Sequence, residues 1–253
     1  MIRFRIVINC GPCENFIARC IGSVVEQSFH NWDAWVTIDP CGDGTFDNAV
    51  AAAGRESRVH LVRNEVRRYS LGNLVAAIES SEAEPEDVIV VLDGDDWFAT
   101  PDALRIVADA YRRFDCWMTY GSWISNVAGP HGRYDGRWPA YPEGTSDFRR
   151  SRWLGTAVRT WKKWLWDLID HADLRGHSGE YFRVAEDQAV MLPLLEMSGT
   201  TKARHISEII MVYNKTVKYP VSDAIEQERE RIALLLDQRA SYPRLQARTA
   251  CSG

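Results

Sequence analysis

Residues 88–92 read Val-Ile-Val-Val-Leu. An apolar run of strand length with no polar residue cannot turn one face to water, so it reads as a central strand covered on both sides. The flanking pattern supplies the covering layers. Strand-like segments at Arg3–Asn9, Trp35–Ile38, Val59–Val62 and Cys116–Ile124 alternate with helix-like ones at Glu14–Ser28, Phe46–Gly54, Leu71–Ser80 and Pro101–Phe114. In the first helix Phe16, Ile17, Cys20, Ile21, Val24 and Val25 fall at helical spacing, and Thr100 and Pro101 read as the N-cap and first residue of the last one. Such alternation predicts a doubly wound, mostly parallel α/β sheet. Ligands of these sheets sit beyond the carboxyl ends of the strands, so Cys10, Asp39 and Asp93 are expected to face one crevice.

The second half reads differently. Ser125–Arg152 is rich in Gly, Pro, Tyr and Trp without a clear period, as in a functional excursion. A helix is predicted over Gly155–His171, another over Ala185–Met197, a strand over Ala203–Tyr213, and an amphipathic helix over Val221–Arg239, packing across the domain. No apolar run approaches the roughly 20 residues of a membrane helix. The start, Met1-Ile2-Arg3-Phe4-Arg5, lacks the pattern of a signal peptide, so a cytoplasmic protein is expected.

The strand at 88–92 runs into Asp93-Gly94-Asp95-Asp96. Carboxylates crowded at a buried strand end repel one another unless a cation joins them. Oxygen ligands suit Mg²⁺ or Mn²⁺, and Mg²⁺ takes one or two protein carboxylates together with substrate phosphates. That arrangement would hold a nucleoside diphosphate. The competing reading is a solvated acidic turn capping the next helix.

Taken in order, "FRIVIN", "CENFIARCIGSVVEQSFHNW", "AWVTIDPCGDGTFD", "LGNLVAAI" and "VIVVLDGDDWFATPDAL" resemble the family-2 glycosyltransferases with the GT-A fold. The likeness covers residues 3–110 and resumes at "AEDQAVMLPLLEMSG" and "ISEIIMVYNKT". It implies a GT-A, Rossmann-like, mixed and mostly parallel sheet with a C-terminal helical extension. The expected division is a transferase domain at 1–220, with a donor half at 1–124 and an acceptor half at 125–220, and a helical tail at 221–253. The implied activity is metal-dependent, inverting transfer of a sugar from a nucleotide-sugar, foremost a UDP-sugar, to a hydroxyl.

The resemblance also implies roles. Asn9, Cys10, Asp39, Asn73, Asp93 and Gly94 would contact the donor, with Asp43 a weaker candidate. Pro40 stands where the family's turn carries a second Asp. Asp95 and Asp93 would hold Mn²⁺ or Mg²⁺, with Asp96 assisting. Lys215, beside Thr216, lies where some members contact the donor phosphates. A hydroxyl that attacks must lose its proton, and a carboxylate in reach can take it. Glu186-Asp187 opens a helix, whose N-terminus favours ionised acids. Asp187 is the expected general base, with Glu186 orienting it or binding acceptor; plain helix capping is the alternative.

Cys10-Gly11-Pro12-Cys13 between a strand and a helix has the form of a thioredoxin-like redox motif. Asn9 stands where thioredoxins carry Trp, and redox chemistry needs no aspartate cluster. Cys10 and Cys13 are therefore expected to be small buried residues, and Cys20 a core residue. The Cys-x-x-Cys has no second copy, so no zinc site is expected. His177 and His205 are candidates for a metal or phosphate contact, against the commoner reading of a lone His as structural or exposed.

Residues 133–166 hold Arg133, Arg137, Arg149, Arg150, Arg152, Arg159, Lys162 and Lys163 against three acids, while the whole chain has a net charge of −5. Tyr134, Trp138, Tyr141, Phe148, Trp153, Trp161, Trp164 and Trp166 are interleaved. Aromatic faces stack on sugars and unpaired bases, and Arg and Lys bind phosphate. Trp138, Arg149, Arg150, Arg152 and Trp153 are thus candidates for binding an acceptor. That acceptor would be a glycan, or DNA carrying hydroxymethylated pyrimidines, as for some phage transferases. The bland reading puts Trp161, Trp164 and Trp166 partly in a helix core, with Arg149, Arg150 and Arg152 on a solvated face or on the donor diphosphate. A nucleotidyltransferase and a non-enzymatic nucleotide- or glycan-binding module are the rival functions.

Overall fold

The computed structural model describes residues 1–129, 134–216 and 222–248. In chain order the elements are β1 (Phe4–Cys10), α1 (Ile17–Val25), β2 (Trp32–Ile38), α2 (Thr45–Ala53), β3 (Val59–Arg63), α3 (Tyr69–Ser80), β4 (Val88–Asp93), β5 (Trp97–Phe98), α4 (Ala103–Phe114), β6 (Met118–Ala128), β7 (Tyr134–Gly136), β8 (Arg159–Lys162), α5 (Lys163–Trp166), α6 (Glu186–Lys202), β9 (Ala203–Tyr213) and α7 (Asp223–Gln238). Among the described residues, nine strands form one sheet in the order β3-β2-β1-β4-β8-β6-β9-β5, with β7 on β6.

The first four strands are parallel, and the chain winds outward from β1 to β3 before crossing back to β4. The strand order therefore reverses between β1 and β4, where such sheets bind ligands. Register sets Asn9 beside both Thr37 and Asp93. Every residue of β1 and residues 88–92 of β4 are buried, as their apolar run requires. One core layer lies under α1, α2 and α4, with Phe4, Ile6, Ile8, Cys20 and Val90. The other lies under α3 and α6, with Val7, Ile89, Trp161, Trp164 and Leu195.

Three boundaries depart from the sequence reading. "TWKKWLW" is not one helix. Arg159–Lys162 is a strand antiparallel to both β4 and β6, and only Lys163–Trp166 is helical. In that slot β8 pairs strands whose edges would otherwise go unmatched, and Trp161 opposes Ile89 on one side and Met118 on the other. The helix α4 starts at Ala103, because Thr100 is used two residues earlier: its Oγ1 accepts from the Asp102 N–H at 3.2 Å and its carbonyl from the Ala103 N–H at 3.2 Å. Helix α1 likewise begins only at Ile17, after a turn closed by the Cys13 carbonyl.

Helix α7 buries Ile232 and Leu236 against the α6 layer. No helix among the described residues is long and apolar enough to cross a membrane.

Candidate active site

The floor of the site is laid by strand pairing. Arg159 opposes Val91 across β4 and β8. Alternation along β4 puts Asp93 on the same face as Val91, so Arg159 and Asp93 share one side of the sheet. The first turn of α6 closes over that side: Asn9, Val91, Asp93, Arg159, Glu186 and Asp187 line one small cavity. Arg159 Nη1 lies 3.8 Å from Asp187 Oδ2, and its buried Nε has no acceptor among the described residues. Burial works to lower the Arg159 pKa, but Asp187, Asp93, Glu186 and Asp96 outweigh it and the net shift is upward. Burial, then Asp187 and Asp93, pushes Glu186 up to about 7.

The aspartate cluster divides. Asp96 turns inward, 2% exposed, and its Oδ1 accepts the Asn214 N–H at 2.8 Å, tying β4 to the end of β9. Burial and Asp93 push its carboxyl up to about 9. One Asp96 oxygen is thus engaged in structure. The Asp93 and Asp95 side chains accept no hydrogen bond from another described residue. Burial raises both, Asp95 to about 6 with Asp93 contributing. Two desolvated carboxylates without donors fit a hard divalent cation, which takes one or two such ligands. No group of three His, Cys, Asp or Glu among the described residues is arranged to hold a metal by itself.

Gly94 is fixed by packing. A Cβ there would stand 2.5 Å from Cys10 Sγ, 3.1 Å from Cys13 Sγ and 3.3 Å from the Asn9 carbonyl. The two thiols thus wedge the β4 turn against β1. The Cys13 thiol and burial raise the Cys10 pKa, opposite to what an attacking thiol needs, and the cysteines are unbridged. Cys20 is fully buried.

Asp39 and Asn73, expected at the donor, lie together at the end of β2. Asp39 accepts from Asn64 Nδ2 at 2.9 Å, Arg68 N at 3.0 Å, Tyr69 N at 2.9 Å and Asn73 Nδ2 at 3.1 Å. It thereby shapes the β3–α3 turn. Next to it a hollow of about 480 Å³ is lined by Asp39, Asp43, Phe46, Arg63 and Asn64. Asp43 accepts the Thr45 N–H at 3.1 Å at the start of α2.

Above the floor opens a cleft of about 630 Å³. Asp93, Asp96, Arg159 and Asp187 meet there with Trp123, Arg137, Trp138, Arg152, Trp153, Tyr213 and Lys215. The Lys215 ammonium is 5.1 Å from the Trp123 ring centre. The acceptor candidates separate: Trp138, Arg152 and Trp153 line the cleft, and Arg149 does not. Arg149, its side chain 6% exposed, is bound by Glu196 at 2.5 and 3.0 Å and donates to the Leu236 carbonyl, so it anchors α7. Arg150 is exposed and lies outside the cleft lining. Arg133 lies outside the described residues. Trp161, Trp164 and Trp166 are core. His205 is half-buried on β9 with its pKa lowered by burial, and His177 lies in an exposed turn.

Sequence reasoning missed Arg159 as a site residue. The available signal was the Val158-Arg159-Thr160-Trp161 alternation, whose β-branched members fit a strand better than a helix.

Residues 6–171 match the profile of glycosyl transferase family 2. Among solved structures the chain is similar to TarS 1–349 of S. aureus in complex with UDP-GlcNAc, at 16% identity and a TM-score of 0.62, covering 92% of this chain and 66% of that one. A second structure of TarS 1–349 gives 14% identity and a TM-score of 0.63, with 92% and 64% covered. The mannosyltransferase PcManGT of Pyrobaculum calidifontis, in complex with GDP-Man and Mn²⁺, gives 14% identity and a TM-score of 0.60, with 95% and 66% covered. This chain thus spans just under two thirds of those chains, and 39% of a longer TarS chain. No curated protein matches.

Proposed function

The chain belongs to glycosyl transferase family 2, and from that premise we propose that it transfers a sugar from a nucleotide-sugar to an acceptor hydroxyl with inversion at the anomeric carbon. One observation carries this reading: Asp93, Arg159 and Asp187, from β4, β8 and α6, meet in one cleft.

In this reading the nucleoside lies toward the β2 end, by Asn9, Cys10, Asp39 and Asn73, and the diphosphate lies at Asp93, Gly94 and Asp95, within reach of Lys215. Asp95 and Asp93 would hold Mn²⁺ or Mg²⁺, which when bound offsets the charge of the departing diphosphate. The acceptor oxygen attacks the anomeric carbon as the bond from that carbon to the diphosphate oxygen breaks, and the electron pair leaves with the nucleoside diphosphate. Asp187 takes the hydroxyl proton. Arg159 sets the direction of the Asp187 carboxylate and separates it from Asp93. Glu186, partly protonated near neutrality at a pKa of about 7, is suited to hydrogen-bond an acceptor or Asp187.

UDP-GlcNAc and GDP-Man, bound by the similar TarS and PcManGT, define the first donors to test. Calorimetry should show donor binding with Mn²⁺ that EDTA or Asp95→Ala abolishes. Turnover should release nucleoside diphosphate. Release of pyrophosphate would assign nucleotidyl transfer instead, and binding without turnover on any acceptor would leave a binding module.

A further inference from the structure

The basic residues between 137 and 163 separate once their partners are known. Glu196 takes Arg149, Asp187 faces Arg159, Glu86 takes Lys162 and Asp167 takes Lys163. Arg137 and Arg152 have neither a carboxylate nor a side-chain hydrogen bond among the described residues, and both line the cleft that holds Asp187.

Their setting is built. The Arg152 guanidinium carbon is 5.6 Å from the Trp138 ring centre. Stacking uses the guanidinium face and leaves its rim of N–H donors to bind something else. Trp138 Nε1 is buried with no acceptor among the described residues, as are the Nε1 atoms of Trp32, Trp161 and Trp164, so it is the Trp138 ring that serves the cleft. Arg137 has φ 58°, a left-handed backbone that strains a non-glycine residue. The residue before it must be glycine: a Cβ at Gly136 would stand 2.6 Å from the Trp123 carbonyl oxygen. β7 thus lies tightly on β6, and the next residue delivers a guanidinium to the cleft.

We infer that the acceptor is an anionic saccharide, its carboxylate or phosphate held by Arg137 and Arg152, a sugar face on Trp138 and Trp153, and its hydroxyl presented to Asp187. This rests on the transferase reading above. A guanidinium fork matches both carboxylate and phosphate, and charge-assisted bonds are about twice as strong as neutral ones. Two unpaired arginines make a pocket for one anion. A nucleic-acid track neutralises on the order of 6–10 phosphates, whereas Arg149, Arg159, Lys162 and Lys163 are spent on Glu196, Asp187, Glu86 and Asp167, which leaves only the exposed Arg150, outside the cleft lining, to extend one from this stretch in a chain of net charge −5.

The test is titration of the whole chain, followed by tryptophan fluorescence, with glucose, glucuronic acid, glucose 6-phosphate and a single-stranded oligodeoxynucleotide. At least one charged sugar should bind about tenfold or more tightly than glucose, and the better of the two identifies the anion. Arg137→Met with Arg152→Met should erase that preference; both side chains are exposed, and circular dichroism checks the fold. Equal affinity for charged and neutral sugars, a preference that survives the double variant, or an oligonucleotide that binds more tightly than either charged sugar overturns the inference. Calorimetry with UDP-GlcNAc and GDP-Man on the same protein reads the transferase proposal separately: loss of donor binding sinks that reading, whereas donor binding with charge-blind sugar binding sinks only this one.

Discussion

Arg159 Nη1 stands 3.8 Å from Asp187 Oδ2, joining a strand that runs against its neighbours to the first turn of a helix. With the Arg159 side chain 13% exposed and four acids in its field, this guanidinium is the counter-charge that lets Asp93 and Asp187 share a cleft.

Arg159→Met should therefore lower both stability and turnover. With Asp187 34% exposed and 3.8 Å away, the loss should stay below the roughly 3–5 kcal/mol of a fully buried pair, and urea unfolding would read it. Turnover should fall further than donor affinity. Arg159→Lys should recover stability in part and turnover poorly, because an ammonium cannot reproduce the planar fork.

Asp187→Asn keeps the shape of the side chain and removes the proposed proton acceptor. Donor affinity should stay within about threefold while kcat falls about 10²–10⁴-fold, the usual contribution of general-base catalysis. A variant that turns over like the parent would take Asp187 out of the mechanism.

Glu186 gives a dependence of stability on pH. Its pKa of about 7 lies above the ordinary glutamate value of 4.5, so the folded state binds the proton more tightly than the unfolded one. The associated stability is complete below about pH 4.5 and is lost as pH rises through about 7. Urea midpoints of parent and Glu186→Gln should diverge across that window, the parent losing stability with rising pH relative to the variant.

Gly94→Ala should drive a methyl group against Cys10 Sγ, only 2.5 Å from where the new carbon would stand. Overpacking of this kind costs about 1–3 kcal/mol, and it displaces the turn between Asp93 and Asp95, so metal-dependent donor binding should weaken too. Cys10→Ala in the same chain should restore part of both, and a double-mutant cycle measures that coupling. Purely additive effects would count against the wedge.

How much can be read from the sequence depends on how far the cause lies along the chain. The strand at 88–92 and α1 announce themselves through the residues they contain, and the whole of β9 does as well. Asp93 and Asp187 are legible because each follows a local boundary. Arg149 reads as an acceptor contact in the sequence because its charge belongs to Glu196, 47 positions away. β8 reads as helix because its reason to extend is the open slot between β4 and β6. A tryptophan-rich stretch fits a helix core and a strand core equally well by hydrophobicity alone. Arg159 escapes assignment for the same reason: only the pairing with Val91 directs it to Asp93.

The passage from Gly136 to Arg159 begins on the short strand at the mouth and ends on the strand at the floor. One contiguous segment therefore links the cleft's mouth to its floor. Transplanting 137–153 between related chains while retaining Gly136 and β8 should re-aim such a protein toward a new molecule and leave its catalytic centre where it was.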